Sequence, residues 1–566
     1  MPLKGVGRMK KAAGRKKPSK KAFKKISKRK AAKSSMKARA LRLAVFLAPL
    51  PFLPRLAAEM ASKEGERKGY RVEQFKLTAR DGTKLSAALY APAGEGPFPA
   101  IIMIHSWFFS RWQCHLYAPY FASSGYVVLS YDCRGWGSSG DQVHCADPNL
   151  EINDLIDAID WLTQSSGLPL KEGAIGVTGI SYGGGHSFLI AARDPRVRTV
   201  VPMNGWTDLK ESLQPHGSLK IAWGVFLIVT ATWATKLNPR NDLYRWVRNL
   251  LLRSGDLQAF EEDMAKRSAL RMPGEVTCPM LIVCSWNDEL FEPNQNMEYY
   301  ERLAAPKMLY VTNGMHGIDA LVGPRLWGKE IWELTKRWFD YWLKGEENGV
   351  LSEPAVQLYS PWKHTMVSEP EWPPPDLEIH QLFLRVDDGE YKIGSRPEGE
   401  VGSRLLKPSL LAPVSSGPTI LPPRAFGLYV PGPRKEEGKG YFSFTTSPSK
   451  RDYELLGAPR LTLTLRPLSP RVQLNALLYD VPPHGLPRLI THGTLTLEDQ
   501  VPGEEVSVSM DLIARDYLMR EGHRFRLTLS GSNLPFALPV KSEGVEVLYG
   551  AGESGLQLPL RAVSSV

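Results

Sequence analysis

Residues 179–183 read Gly-Ile-Ser-Tyr-Gly and therefore have the spacing Gly-x-Ser-x-Gly. In this motif a sharp turn between a strand and a helix exposes the serine hydroxyl, and small flanking residues leave room where the backbone crowds. The apolar run Ala174–Val177 precedes the motif, and the helical pattern Ser187–Ala192 follows it. The sequence therefore predicts Ser181 as a nucleophile, with an accidental turn as the alternative.

A serine hydroxyl is a poor nucleophile until a base removes its proton. In folds with this serine turn, the acid and then the histidine follow the serine along the chain. Asp288 is the first acidic residue in the loop after the strand-like run Met280–Ser285, with Glu289 beside it as the fallback acid and a solvated loop carboxylate as the other alternative. His316 lies between glycines after the run Lys307–Thr312. We therefore predict Asp288 as the acid and His316 as the base, with a packed or surface histidine as the alternative.

Acyl transfer also needs donors for the oxyanion that develops on the substrate. The backbone N–H of Tyr182, directly after the serine, is the first candidate. The second should come from the loop after Ala100–Ile104, where we favour the N–H of Trp107 over that of Ser106. His105 lies in the same loop but precedes the serine, so we expect it to have a structural role.

The glycine-rich segment 132–140 is not a phosphate-binding loop. It lacks the Gly-Lys-Ser/Thr ending of a P-loop, and its spacing is not Gly-x-Gly-x-x-Gly followed by a helix. We expect a structural turn near the active site. The sequence also lacks the His and acidic spacings that build a metal site, so we predict neither a metal nor a cofactor.

The elements around these residues alternate between strands and helices, which predicts a doubly wound α/β sheet. Apolar residues at helical spacing in Ile152–Leu162 and Ile331–Leu343 predict two helices. Val72–Leu77 and Leu85–Tyr90 are short alternating runs around Asp81-Gly82, which predict a β-hairpin. Apolar runs predict further strands; they are Ala100–Ile104, Tyr126–Tyr131, Ala174–Gly179, Val197–Met203, Met280–Ser285 and Lys307–Thr312. The fold class is therefore α/β, with the serine, acid and histidine at the ends of strands.

Between residues 206 and 275 this alternation is replaced by a pattern typical of several helices, which predicts a helical cap over the sheet. Its uncharged stretch, 221–235, is too short to span a bilayer. We expect a buried cap helix whose aromatic residues, Trp223, Phe226 and Trp233, line a substrate pocket. Asp208 is a candidate for binding a substrate amino group, although a helix N-cap is the favoured alternative for an aspartate at this position.

After residue 349 short β-like runs alternate with Pro, Gly and Ser clusters, which predicts an all-β sandwich or jelly roll. We therefore predict four parts. Residues 63–205 and 276–348 form the α/β core, 206–275 the helical cap, 349–566 the β-sandwich, and 1–62 a basic leader.

The leader explains the net charge of +12. Residues 1–42 hold 18 Lys and Arg and no acid, so the remaining chain has 71 − 18 = 53 basic and 59 acidic residues, a net of −6. This excludes a basic nucleic-acid-binding body. The apolar run that starts at Leu41 is as short as the core of a signal peptide, and Ala57, Ala58 and Ala61 offer cleavage sites.

We therefore expect an exported protein without a stable membrane span, with translation from Met36 as one hypothesis and a cytoplasmic protein with a basic tail as the alternative. Five cysteines are too few for a disulfide scaffold. Cys133 and Cys145 could form a disulfide if the protein is exported. The sequence leaves open whether the chain forms a homo-oligomer.

Taken together, these segments resemble the cocaine-esterase-like and X-Pro dipeptidyl-peptidase-like (CocE/NonD) hydrolases. The resemblance covers about residues 70–550. It rests on Asp132–Gly140, Gly179–Gly183, Asp194–Val197, Trp286–Asp288, Arg337–Gly345, Gly457–Pro459 and Leu477–Val481.

The resemblance implies an α/β-hydrolase core with a helical cap and a jelly roll packed against it. It also implies hydrolysis of esters, amides or X-Pro peptides through an acyl-enzyme. Members of this family often place a Tyr hydroxyl in the oxyanion hole, but residues 105–109 read His-Ser-Trp-Phe-Phe. A backbone donor must then serve here.

Three functions follow from the sequence. The first is a hydrolase of apolar carboxylic esters, and the second is a dipeptidyl peptidase or amino-acid-ester acylase. The third is a non-catalytic protein on a hydrolase scaffold that binds a ligand such as a carbohydrate through the jelly roll. An intact Ser, Asp and His set disfavours this third function.

Overall fold

The computed structural model describes residues 53–234, 244, 246, 257–321, 329–409, 414–551 and 554–563. The predicted leader up to residue 52, with the Met36 hypothesis, lies outside the described residues. Strands are numbered β1–β24 and helices α1–α10 in chain order.

The first sheet has ten strands in the order β1-β2-β4-β3-β5-β6-β7-β8-β9-β10. In this order the strands from β4 to β9 run parallel to one another, whereas β1, β2 and β10 are antiparallel to their neighbours. The strands are β1 (Tyr70–Thr78), β2 (Lys84–Pro92), β3 (Phe98–Ile104), β4 (Val127–Tyr131), β5 (Leu170–Ile180), β6 (Val197–Met203), β7 (Met280–Ser285), β8 (Lys307–Thr312), β9 (Val356–Ser360) and β10 (Thr365–Glu369). The predicted α/β fold class is confirmed.

Helices cover both faces of this sheet. The outer helices are α1 (Leu53–Lys68), α2 (Ala118–Ala122), α3 (Glu151–Asp160), α4 (Tyr182–Ala191), α8 (Pro293–Arg302), α9 (Ile318–Leu321) and α10 (Lys329–Phe339). Strand β3 shows why its sequence is apolar throughout: Ile102 and Ile104 belong to the buried cluster on one face, and Ile101 and Met103 to that on the other. A parallel strand covered on both faces needs such a run.

The cap is inserted between β6 and β7, where the sequence predicts it. Within the part of the cap that the structure describes, the helices are α5 (Leu209–Leu213), α6 (Ile221–Ala234) and α7 (Leu257–Ala265). Helix α6 was expected to be buried, but only one face is: Trp223 and Leu227 are buried, whereas Val225 and Val229 are exposed. None of the helices in the described residues is long and apolar enough to cross a membrane.

Helix α1 begins before residue 62, where the sequence analysis placed the end of the leader. It begins at Leu53 and packs against β1, with Ala57 and Ala61 fully buried. These two alanines were predicted as signal-cleavage residues, but their spacing of four residues places them on one helix face. Residues 53–62 therefore pack against the first sheet in this structure, whereas the sequence assigns them to the leader.

The second sheet has fourteen strands and forms the C-terminal β domain. Its strands are β11 (Glu378–Asp387), β12 (Glu390–Gly394), β13 (Glu398–Leu406), β14 (Glu437–Gly438), β15 (Tyr441–Thr446), β16 (Tyr453–Gly457), β17 (Arg460–Pro467), β18 (Val472–Val481), β19 (Arg488–Leu497), β20 (Val506–Asp511), β21 (Arg515–Met519), β22 (Arg524–Ser530), β23 (Val545–Ala551) and β24 (Gly555–Ala562).

The second sheet begins later than the predicted domain boundary at residue 349. Strands β9 and β10 lie after that boundary, but β9 pairs with β8 and β10 with β9 in the first sheet. The first strand of the second sheet, β11, begins at Glu378. The C-terminal β domain contacts the cap, where Ser218 Oγ lies 2.7 Å from Thr496 Oγ1 and the Ile221 N–H donates to the Phe536 carbonyl over 2.9 Å.

Candidate active site

Ser181 occupies the turn between β5 and α4, at the carboxyl end of the parallel strands. Its backbone has φ 59° and ψ −110°, a conformation that costs a non-glycine residue about 1–3 kcal/mol. The strain is held by the packed strand and helix on either side, and the side chain is 7% exposed. The hydroxyl is therefore presented at the sheet edge rather than buried in the helix.

The glycines of the motif are needed for close backbone approach. A Cβ at Gly179 would lie 2.5 Å from the backbone of Gly183, and one at Gly183 would lie 2.3 Å from the carbonyl oxygen of Ile104. Real Cβ atoms do not come this close to backbone, so a larger residue at either position would move the turn.

The three predicted residues lie together at this edge. Ser181 Oγ is 2.7 Å from His316 Nε2, and His316 Nδ1 is 2.8 Å from Asp288 Oδ2. Asp288 is fully buried, and the His316 side chain is 14% exposed. This is the geometry in which an imidazole can take the serine proton while a carboxylate holds its tautomer.

Asp288 is itself fixed by four donors. Its Oδ1 accepts the backbone N–H of Leu290 and of Phe291, each over 3.0 Å. Its Oδ2 accepts from His316 and from Asn204 Nδ2, the latter over 3.2 Å. The carboxylate therefore remains hydrogen-bonded although it is out of contact with water.

Glu289, the fallback acid, points away from His316. Its carboxylate is buried against the C-terminal β domain, where Oε1 lies 2.7 Å from Arg424 Nη2. The structure therefore favours Asp288 over Glu289 as the partner of the histidine.

The two predicted oxyanion donors lie beside Ser181. Tyr182 is the first residue of α4, so its N–H has no partner within the helix. The alternative donor, Ser106, already donates its N–H to Gln113 Oε1 over 2.7 Å. Trp107 is held by its indole, which donates to Thr230 Oγ1 over 3.1 Å. This arrangement favours Trp107 over Ser106, and both donor assignments remain predictions.

His105 packs beneath this loop, as expected of a structural residue. Its Nε2 accepts the N–H of Cys133 over 3.0 Å, and its Nδ1 lies 2.8 Å from the carbonyl oxygen of Ser106. Burial lowers the pKa of the His105 imidazole, which favours the neutral ring that these contacts require.

The glycine-rich segment 132–140 folds as a turn around its own aspartate. Asp132 Oδ2 accepts the Ser138 N–H over 2.9 Å, so the loop amides bind a carboxylate of the chain. The five cysteines are buried thiols in this structure, Cys133 and Cys145 among them.

Two cavities meet at Ser181. The Trp206 cavity has a volume of about 40 Å³ and is lined by Trp107, Cys145, Ser181, Tyr182, Trp206, Leu209, Leu213, Leu227, Trp246, Leu290 and Phe291. The Trp223 cavity has a volume of about 190 Å³, and its lining includes Trp107, Phe108, Phe109, Ser181, Trp223, Phe226, Leu227, Leu290, His316, Ile318 and Leu421. Both linings are dominated by aromatic and aliphatic side chains.

The predicted cap aromatics border the histidine. The Trp223 ring lies edge-on to the His316 ring at 5.5 Å between centroids, and Phe226 packs against Trp223 at 5.7 Å. The Phe291 ring lies edge-on to the His316 ring at 5.0 Å between centroids. The imidazole therefore has aromatic neighbours from the cap and from the loop that carries Asp288. The side chain of Trp233 lies outside the described residues.

Asp208 is placed differently from its predicted role. Its Oδ1 accepts the Glu211 N–H over 3.0 Å and so caps the N-terminus of α5. The N-cap alternative is therefore correct, and Asp208 is absent from the described lining of both cavities.

Two supporting residues were missed by sequence analysis. Asn204 directly follows β6, and its position at a strand end beside the serine strand was a usable signal. Glu151 accepts a hydrogen bond from the Tyr182 hydroxyl. Burial raises the pKa of the Glu151 carboxyl, but its contacts with His186 and Tyr182 lower that pKa by more, so that the net pKa is about 2. This contact joins α3 to α4, which are far apart in sequence, and no local pattern indicates it.

Family models match both parts of the chain. The model for the X-Pro dipeptidyl-peptidase (S15) family matches residues 81–318. The model for the X-Pro dipeptidyl-peptidase C-terminal non-catalytic domain matches residues 348–551. Between them the two models take in the first sheet except β1, the cap and most of the C-terminal β domain.

Individual proteins agree with these matches. The cocaine esterase of Rhodococcus sp. is 20% identical over 522 residues, covering 81% of this chain and 90% of that protein. A CocE/NonD family hydrolase from Staphylococcus aureus superimposes with a TM-score of 0.67 at 18% identity, covering 87% of this chain and 94% of the other. An α-amino acid ester hydrolase superimposes with a TM-score of 0.64 at 16% identity, covering 87% and 97%. The solved structures support the fold, not the substrate.

Proposed function

Because the chain belongs to the X-Pro dipeptidyl-peptidase-like and CocE/NonD serine hydrolases, we propose that it hydrolyses carboxylic esters with apolar groups through an acyl-enzyme on Ser181. One observation carries the proposal: Ser181, at the end of the hydrogen-bonded chain Asp288–His316–Ser181, lines two apolar cavities.

In the proposed reaction, Ser181 Oγ attacks the ester carbonyl carbon as His316 Nε2 takes the hydroxyl proton. The oxyanion that forms accepts the N–H groups of Tyr182 and Trp107. When the tetrahedral intermediate collapses, His316 gives its proton to the leaving alcohol and the acyl group stays on Ser181. Water then attacks the acyl-enzyme with His316 as base, which releases the acid and restores the serine.

The two cavities suggest how the ester is oriented. Since His316 must protonate the leaving oxygen, the alcohol group belongs on the side of the histidine, in the Trp223 cavity. The acyl group then enters the Trp206 cavity, beside Tyr182. Its volume of about 40 Å³ favours a short acyl group. Aromatic and aliphatic walls favour apolar groups in both places.

The second candidate, a dipeptidyl peptidase or amino-acid-ester acylase, is favoured by the name of the matching family. It would need a carboxylate near Ser181 to bind the ammonium group of the substrate. The described residues that line the two cavities carry no acidic side chain. This supports the ester hydrolase as the first proposal.

A substrate comparison tests the proposal. We expect the purified chain to hydrolyse p-nitrophenyl butyrate, and to hydrolyse an amino-acid ester no faster with a free amino group than with an acetylated one. If acetylation of the amino group abolishes hydrolysis while p-nitrophenyl butyrate is left intact, the peptidase proposal replaces the esterase proposal.

Leu213→Trp should change the acyl preference. Of the two cavities, only the Trp206 cavity is lined by Leu213. An indole ring at this position would leave less room for the acyl chain. We expect kcat/KM for p-nitrophenyl butyrate to fall about tenfold more than for p-nitrophenyl acetate, since one or two methylenes in an apolar pocket account for such factors.

The matched control is Leu421→Trp, which enlarges a residue of the Trp223 cavity instead. We expect it to alter selectivity between leaving alcohols and to leave the butyrate-to-acetate ratio unchanged. Equal effects of both substitutions on that ratio would contradict the proposed orientation.

A further inference from the structure

The loop that carries Asp288 is bound by the C-terminal β domain. It runs from the end of β7 to the start of α8. Arg515, the first residue of β21, donates from Nη1 to the carbonyl oxygen of Trp286. On the other side of Asp288, the Glu289 carboxylate pairs with Arg424 over 2.7 Å. The two neighbours of the Asn287–Asp288 pair are therefore both fixed from outside the first sheet.

These contacts form a buried ion cluster. Glu289 Oε1 lies 3.6 Å from Arg515 Nη2 and 3.6 Å from His492 Nε2. The side chains of Glu289, His492 and Arg515 are 1%, 0% and 4% exposed. A carboxylate removed from water is stable only with charged or hydrogen-bonded partners. If the loop moved away, Glu289 would lose these partners, and the folded state would be strongly destabilised.

The cation at the centre of the cluster is present at neutral pH. Burial, and then the like charge of Arg424, lower the pKa of Arg515 to about 9, which is still above 7. Arg515 can therefore hold both the carbonyl and the carboxylate under ordinary assay conditions.

A second tie fixes the far end of the same loop. Asn294, in the first turn of α8, donates from Nδ2 to the Leu512 carbonyl over 2.9 Å, and its Oδ1 accepts the Ala514 N–H over 2.8 Å. Residues 512–515 thus contact the loop at its beginning and at its end. Asp288 lies between these two contacts.

We propose that Arg515 is a positioning residue for Asp288, supplied to the active site by the C-terminal β domain. By contacting Trp286 and Glu289, it sets the place of the carboxylate opposite His316 Nδ1. The inference rests on the proposed function, since Asp288 must act through His316. It gives this β domain a part in catalysis although none of the proposed reacting groups comes from it.

Arg515→Met tests the proposal, because methionine keeps much of the apolar volume and removes the donors. A displaced Asp288 should weaken stabilisation of the transition state more than substrate binding. We expect kcat for p-nitrophenyl butyrate to fall about 10- to 100-fold with KM within about threefold of wild type, since displacements near 1 Å have such effects. The rate at which a fluorophosphonate labels Ser181 should fall by a similar factor.

Arg526→Met is the matched control. Arg526 is also a buried arginine of the C-terminal β domain, but it pairs with Glu436 over 3.0 Å, away from the Asp288 loop. We expect it to lower the melting temperature comparably and to keep kcat within about threefold of wild type, because it shares no partner with the Asp288 loop. A similar loss of kcat in both variants would mean general destabilisation and would overturn the proposal.

Labelling at the wild-type rate in folded Arg515→Met would also overturn it. If Arg515→Met does not fold, Arg515→Lys keeps the charge but reaches only one of the two partners, and we expect an intermediate kcat; an unchanged kcat would overturn the proposal. Absence of Ser181 labelling in the wild-type protein is a different result, because it overturns the proposed function and this inference with it.

Discussion

We expect Ser181→Ala to remove nearly all ester hydrolysis. Alanine removes the only atom that can form the acyl-enzyme at the turn between β5 and α4, and it leaves the cavities and the oxyanion donors intact. We expect kcat for p-nitrophenyl butyrate to fall about 10⁴- to 10⁶-fold, with a residual rate above that in water from the remaining donors. Initial rates measured at saturating substrate check this result.

Ser187→Ala is the control for this substitution. Ser187 lies on the same helix, and its hydroxyl donates to the Gly183 carbonyl over 2.8 Å without contacting His316. We expect kcat within about threefold of wild type, because a single buried hydrogen bond contributes about 1 kcal/mol to stability and takes no part in the reaction. Activity that survives Ser181→Ala would assign the nucleophile elsewhere.

Asp288→Asn should have the second-largest effect. The amide has nearly the same shape, so the hydrogen bonds from Leu290 and Phe291 to its oxygen can remain. However, it neither stabilises the imidazolium nor selects the tautomer in which Nε2 of His316 is free to accept the serine proton. We expect kcat to fall about 10⁴-fold, with little change in KM.

The control is Asp208→Asn, since asparagine caps a helix as well as aspartate does. Asp208 caps α5 and should leave ester hydrolysis within about twofold of wild type, as expected for a conservative N-cap exchange. Comparable kcat values for Asp288→Asn and wild type would remove Asp288 from the reaction and reopen the choice of acid.

Local patterns were enough to predict most of the first sheet. The continuous apolar run of β3 and the serine turn after β5 depend on neighbours in sequence, so their residues carry the signal. The acid and base followed from chain order and from the strands before them. The structure brings Ser181, Asp288 and His316 together as that order predicts.

Long-range partners could not be predicted in the same way. Strands β9 and β10 follow the predicted domain boundary, and nothing in their short runs says which sheet they join. Arg515 lies 229 residues from Trp286, so its contact depends on how the C-terminal β domain packs. Helix α1 has small buried residues, Ala57 and Ala61, which resemble a cleavage site as closely as a packed helix face.

The most direct test of the central claim is to treat the purified protein with a fluorophosphonate probe and locate the label by peptide mass spectrometry, with Ser181→Ala as control. The account predicts one labelled residue, Ser181, and no label in the alanine variant, because only a serine activated by His316 reacts readily. A folded wild-type protein that takes up no label, or takes it up equally in Ser181→Ala, would contradict the claim that Ser181 is the catalytic nucleophile.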